Sequence, residues 1–313
     1  MSEASGYLDA KTIKRLSILA PWRTALAIGL DWLVIAVAIA VSQYAHNVLV
    51  YIVAVAFIGG RQHAFGALMH EFSHYRFIDN KQLSDWIGDV FVAWPILASV
   101  DSYRRNHLAH HRYTNTDKDP DWVIKIGTRK FTFPQEWQSA VLSLAGYVVM
   151  VGSLFDMVQA IQRLRALDNS TRAYKLIRLA FYLAWAAVFT LTGTWLQFLL
   201  YWLVPYLSVF FLVLYIRSVA EHFGGGMNYG DELGSTRTVL PFLWEKWFFA
   251  PHMVNYHLEH HLYPSVPFYN LPELHRALMA NSTYAARAHM TRGYSTGLVR
   301  ECLTPQPASA AGS

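Results

Sequence analysis

One cysteine, Cys302, stands in 313 residues. That excludes an intramolecular disulfide, a cysteine-ligated zinc or iron–sulfur cluster and a C-x-x-C redox pair. Any electrons for redox chemistry must therefore come from outside the chain. Charge is also scarce: Asp, Glu, Lys and Arg together make up 15%, against about 25% in ordinary soluble domains. No short apolar segment with a small-residue cleavage site follows the polar start from Met1 to Ser17, so no removable signal peptide is expected. What is abundant is apolar: 54% hydrophobic residues, 15% aromatics and a mean hydropathy of +0.20. The balance is that of a membrane protein. The formal net charge of +5 does not argue for nucleic acid, because the basic residues flank apolar runs instead of sharing a polar face.

Four of those runs approach the roughly 20 residues needed to cross a bilayer: about 25–44, 48–68, 177–191 and 195–216. The links near His46 and Asn47 and at Thr192-Gly193-Thr194 carry no Lys or Arg, whereas Arg172, Lys175, Arg178 and Arg217 flank the second pair. The positive-inside rule puts both links outside and everything else in the cytoplasm. Two further runs, 83–100 and 140–161, are interrupted by Asp85, Asp89 and Pro95 and by Gly146, Gly152 and Asp156. They are expected to lie at the interface or partly embedded. The expected architecture is all-α: a cytoplasmic segment 1–24, one membrane domain over 25–303 with four transmembrane helices in two hairpins, interfacial helices and a cytoplasmic cap. The tail 304–313, rich in Pro, Ala and Ser, is expected to be disordered.

Histidine is concentrated at the ends of these runs. His107, His110 and His111 form one H-x-x-H-H cluster, His257, His260 and His261 another, and His70 and His74 precede them. Histidines three and four apart share a helix face, so each triplet is expected to aim at one point. Three imidazoles beside acidic residues make poor core packing, and the triplets are read as metal ligands. His222, just past the fourth run, is read as a further ligand. The predicted topology brings all of these groups to the cytoplasmic side. His70-Glu71-Phe72-Ser73-His74 also matches H-E-x-x-H, the zinc metalloprotease signature, with Glu71 as general base. A zinc site needs only one more protein ligand and leaves both triplets idle, so the protease reading is remote. A membrane transporter is equally remote, since its polar residues belong near mid-membrane on broken helices. Asp117, Asp119 and Asp121 are candidates to orient imidazoles through their second nitrogens. His63, two turns before His70, and Glu259 are read as supporting residues. His252 has an open role, and His46, His275 and His289 stand alone.

His70-x-x-x-His74, His107-x-x-His110-His111 and His257-x-x-His260-His261 resemble the three histidine boxes of the integral-membrane fatty acid desaturase superfamily, and Glu221-His222 sits where that family has its extra histidine. The likeness runs from about Arg61 to His275. It implies a four-helix membrane stalk, a cytoplasmic cap and a non-haem diiron centre, with His70, His74, His107, His110, His111, His222, His257, His260 and His261 as ligands. One departure stands out. Acyl-CoA desaturases of this type can hold a water on iron through an asparagine one turn before the extra histidine, where this chain has Ser218; Asn255 or a water held by Ser218 fills that role, or the centre differs. No segment resembles a fused cytochrome b5 domain.

Nine imidazoles exceed the six positions of one octahedral ion and suit two. Imidazole binds Zn, Cu, Fe and Ni alike, so the choice of two iron ions, with dioxygen as co-substrate, rests on the resemblance. The expected reaction is desaturation of an alkyl or acyl chain; hydroxylation of a fatty acyl or amphipathic specialised metabolite is the alternative. Arg104, Arg105 and Lys125 are candidates to meet a substrate headgroup, against a plain positive-inside role. Trp86, Trp94, Trp122 and Trp185 are candidates to line an acyl tunnel, against plain core or interface roles. The expected partners are the membrane, a lipid substrate and an external donor such as ferredoxin or rubredoxin with its reductase, and the expected location is a bacterial inner membrane with both termini and the active site cytoplasmic.

Overall fold

Helix boundaries in the computed structural model, which describes residues 6–304, follow the apolar runs but overshoot them at the ends that matter. All of the tail except Thr304, and the first five residues, lie outside the described residues. Helix α1 (Ala10–Leu16) starts on Asp9, whose carboxylate accepts the Thr12 N–H at 2.9 Å. Proline at the first helical position opens α2 (Pro21–Ala45), where its missing N–H costs nothing. His46 ends α2 in the left-handed region, and the Asn47 side chain accepts the Leu49 N–H at 2.8 Å to start α3 (Val48–Ser73). The chain thus reverses in two residues.

The expected second span stops at 68, yet α3 continues through Ser73 and carries His70 within its last turn. The last carbonyls of α3 would be orphaned there. Arg104 answers them, donating to the Phe72 and Ser73 carbonyls at 3.0 Å each while pairing with Asp85.

Neither interrupted run is a single helix. Helix α4 (Lys81–Gly88) passes through a π turn and a 3-10 turn to Ile96, reverses at Leu97 (φ 59°), and gives way to α5 (Val100–Tyr113) at 89°. Asp89, read in the sequence only as an interruption, caps α5 by accepting the Val100 N–H at 2.8 Å. The 140–161 run likewise breaks at Met150 (φ 66°) into α6 (Trp137–Val148) and α7 (Val151–Leu167), 73° apart.

Helix α8 (Arg172–Thr192) ends on Gly193 at φ 67°, where a residue without Cβ is favoured. A 28-residue helix, α9 (Trp195–His222), follows. It carries π-helical turns on either side of Pro205, whose missing N–H breaks the regular ladder. Four helices, α2, α3, α8 and α9, are long and apolar enough to cross a membrane.

Residues after α9 fold into short elements over the histidine-bearing ends: β1 (Thr238–Leu240), α10 (Leu243–Phe248), α11 (His257–Leu262), α12 (Leu271–Met279), α13 (Ser282–Arg287), β2 (Met290–Arg292) and α14 (Val299–Leu303). The strands pair in parallel with Thr238 opposite Met290. The fold is therefore mostly helical and not strictly all-α. Three residues per strand, distant in sequence, give too short an alternation to be read as a strand. Helix α12 clasps the N-terminal segment, with Arg15 2.6 Å from Glu273 and the Asn270 amide donating to the Leu16 carbonyl at 2.7 Å.

Candidate metal centre

Four separate elements deliver the histidines: the end of α3 (His70, His74), α5 (His107, His110, His111), the end of α9 (His222) and α11 (His257, His260, His261). They do not converge on one point. His70, His74, His107, His111 and His260 form one group, and His110, His222, His257 and His261 a second, with donor atoms inside each group within 4.8 Å of one another. The expectation that each triplet aims at a single point is corrected. Residues four apart on a helix differ by about 40° in direction, whereas consecutive residues differ by about 100°. His107 and His111 therefore share one group while His110 turns to the other, and His257 and His261 share the second while His260 crosses to the first. Each triplet bridges both groups.

Hydrogen bonding alone cannot satisfy this packing. The Nε2 atoms of His74 and His107 lie 2.9 Å apart, those of His107 and His111 3.0 Å, and those of His111 and His260 3.0 Å. One Nε2 has a single in-plane direction, holding either a proton or a lone pair, yet the Nε2 atoms of His107 and His111 each face two partners. In the second group His222 and His257 meet at 2.8 Å. The Nε2 atoms of His70 and His261 are buried with no hydrogen-bond partner, a costly state for a polar atom. Lone pairs converging on a cation resolve all of these contacts. Cis donors about 2.1 Å from a common ion lie about 3 Å apart, which matches. Burial first, and then neighbouring histidines, hold His107, His111, His257, His260 and His261 well below the usual imidazole range. Burial, with Arg76 and Arg104, pushes His74 down to about 3. Neutral imidazole is the ligating form. The donor set fits two transition-metal ions.

Carboxylates behind the rings fix their orientation. Asp119, fully buried, lies 2.8 Å from Nδ1 of His110 and also accepts the Asn115 and Asp121 N–H groups. Of the three acidic candidates it alone bonds a cluster histidine. Asp117 is exposed, and Asp121 accepts from Asn106 at 3.0 Å and pairs with Arg163. Glu221, which sequence reading passed over as mere context for His222, lies 3.5 Å from Nδ1 of His257 and is held by Arg217 at 2.6 Å. Its signal was the i,i+4 spacing of an opposite charge. Glu71 accepts the Phe268 N–H at 2.9 Å and stands 3.5 Å from Nδ1 of His70, a bracing arrangement and not that of a free general base.

Other candidates are engaged elsewhere. Glu259 contacts no cluster histidine; it accepts from Thr238, from Tyr284 at 3.0 Å, and meets His275 at 2.5 Å. His275, expected to stand alone, thus anchors α11 from below. His289 likewise meets Glu301 at 3.2 Å. His63 is fully buried but belongs to neither group. Asn255 uses its amide on the Val239 carbonyl at 3.0 Å. Ser218 receives Lys125 Nζ at 3.2 Å. Arg104, on α5, is buried against the end of α3, and Arg105 pairs along its own helix with Asp101. Trp94 and Trp185 line an apolar crevice, whereas Trp122 stacks on Phe223.

Sequence comparison agrees with the geometry. The sequence model of the fatty acid desaturase family matches residues 46–293. Dihydrorhizobitoxine desaturase of Bradyrhizobium elkanii is 26% identical over 87% of this chain and 80% of its own length. An sn-1 oleoyl-lipid 12-desaturase of Anabaena variabilis is 25% identical over 73% of this chain and 69% of its own, and a Delta(8)-fatty-acid desaturase of Euglena gracilis 24% over 71% and 59%. With four apolar helices of spanning length and a match across most of its residues, the chain belongs to the fatty acid desaturase family, an integral-membrane oxidoreductase.

Proposed function

We propose that this protein is an oxygen-dependent desaturase of an alkyl or acyl chain, with two iron ions held by nine histidines. One ion takes His70, His74, His107, His111 and His260; the other takes His110, His222, His257 and His261. The single observation carrying this reading is the division of the histidines into those two groups of converging buried donors. Iron so bound supplies dioxygen activation strong enough to remove hydrogen from an unactivated methylene.

The chain's own part is to hold and to exclude. Asp119 and Glu221 fix the tautomers and angles of His110 and His257, so that each ring presents Nε2 inward. Burial of the rings keeps bulk water from the centre. A crevice of about 1100 Å³ between α2, α8, α9 and the α4–α5 break, walled by Ile28, Trp32, Trp94, Trp185, Phe198 and Tyr206, supports a long apolar substrate. The likeness to oleoyl-lipid desaturases favours an acyl lipid; the likeness to dihydrorhizobitoxine desaturase favours instead a small amphipathic metabolite. We further propose residues 25–303 as one membrane domain with two helical hairpins and a cytoplasmic cap, in a bacterial inner membrane. Electrons come from an external donor such as ferredoxin or rubredoxin with its reductase, since a lone cysteine cannot ligate an iron–sulfur cluster of its own.

Metal analysis and product analysis test this together. About two irons per chain and a new double bond in the substrate, formed only with dioxygen and a redox partner, are expected. A single zinc, or a hydroxylated product, overturns it.

A further inference from the structure

Outside the nine, one more histidine approaches the same centre. His252 lies on the turn Pro251–Met253, where it and Met253 take φ values of 50° and 56° in succession. Non-glycine residues adopt that region only when their surroundings impose it. Here the surroundings include a buried ion pair. Nε2 of His252 is 2.7 Å from one oxygen of Asp31, and the other oxygen of Asp31 accepts from Arg61 at 3.0 Å. Arg61 also donates to the Trp247 carbonyl. Asp31 and Arg61 are buried on α2 and α3, both spanning helices, where ionisable groups mark function more often than packing.

The second observation lies on the other side of His252. With His70, Glu71, His257 and His260 it lines a cavity of about 10 Å³, the room one water needs. That cavity touches histidines of both groups, and His252 itself is only partly exposed, at 11%. Asp31, Arg61, His63, Glu71 and the ligand candidates His70, His257 and His260 are the titratable and charged groups around it.

We propose that His252, braced by Asp31, is a proton relay to the metal centre through a water in this cavity. The proposal rests on the oxygen-dependent reading above. Converting CH2–CH2 to CH=CH with one O2 consumes two electrons and two protons from outside and leaves two waters. The electrons come from the redox partner, and each proton must cross a shell of buried rings. With Nε2 held on Asp31, the other nitrogen of His252 takes up a proton from the medium and releases it to the cavity water, leaving the ring as it began. Arg61 holds the second oxygen of Asp31, so the carboxylate stays aimed at the ring.

His252→Gly tests the relay, because glycine accepts the left-handed φ and leaves room for added imidazole, while Asp31 keeps Arg61. The variant is expected to hold the wild-type metal content and to turn over about 100-fold more slowly, with imidazole restoring at least tenfold. His252→Asn, also tolerant of that φ, is expected to keep its metal and stay slow with imidazole present. Wild-type turnover in either variant overturns the relay. So does loss of metal from both, which makes His252 a structural brace. A wild-type chain lacking metal or oxygen-dependent product overturns the function proposed above, and the relay with it.

Discussion

At His110 the nitrogen turned away from the four-histidine group meets the buried carboxylate of Asp119 at 2.8 Å. Such partners raise the basicity of a ligand ring, and losing them typically weakens metal binding about 10- to 100-fold. Asp119→Ala is therefore expected to release one ion of the two to a chelator at least tenfold faster, with the five-histidine group retaining its own; metal content over time measures it. Asp117→Ala, two residues away and exposed, is expected to leave metal retention unchanged. At this scale the sequence was legible for identity and not for pairing. Histidine spacing marked all nine candidates, but three acids in five residues looked alike until the turn at Asn115 (φ 58°) put one of them inside. Arg104 is the converse: a cation beside a histidine cluster reads as a ligand for anions, and only the fold exposes the two carbonyls of α3 that it satisfies.

Between elements, α3 approaches α9 closely at Gly59. A Cβ at Gly59 would lie 2.4 Å from Cβ of Val209 and 2.9 Å from the Pro205 carbonyl. Backbone and β-branched side chain both resist displacement, so Gly59→Ala is expected to destabilise by about 1–3 kcal/mol, seen as a lower unfolding temperature in detergent. Gly29 on α2 meets nothing within 4 Å, and Gly29→Ala is expected to be neutral or slightly stabilising, since alanine favours a helix by up to about 1 kcal/mol. The same contact helps hold His70 and His222 in register, because each sits near the C-terminal end of one of the two helices. A gradual metal loss in Gly59→Ala, tracking its lower stability, is the expected side effect. The hydropathy pattern revealed all four long helices but neither sharp break. Leu97 and Met150 adopt positive φ, and no glycine or asparagine there announces the turn.

Across the whole molecule, histidines from residue 70 to residue 261 meet in one region, which requires an even number of crossings between every pair of clusters. Reporter fusions at Asn47 and Gly193 are expected to report the side opposite to fusions at either terminus; a fusion at Met150 on the same side as Asn47 would add two crossings, by α6 and α7, and overturn the four-span topology. Chelation is expected to lower the unfolding temperature of the wild-type chain, since ions that bind only the folded state stabilise it by mass action, while leaving a His260→Ala, His257→Ala double variant less affected. By itself, the sequence determined the apolar spans and the nine candidate ligands, because each depends on residue type and on spacing within one helix. The tertiary structure alone decided how the nine divide between two groups, which carboxylates brace them, and that Asp31 reaches His252 across 221 positions. Those are relations between distant segments. No local periodicity encodes which of two consecutive histidines, 100° apart on one helix, finds its partners on another.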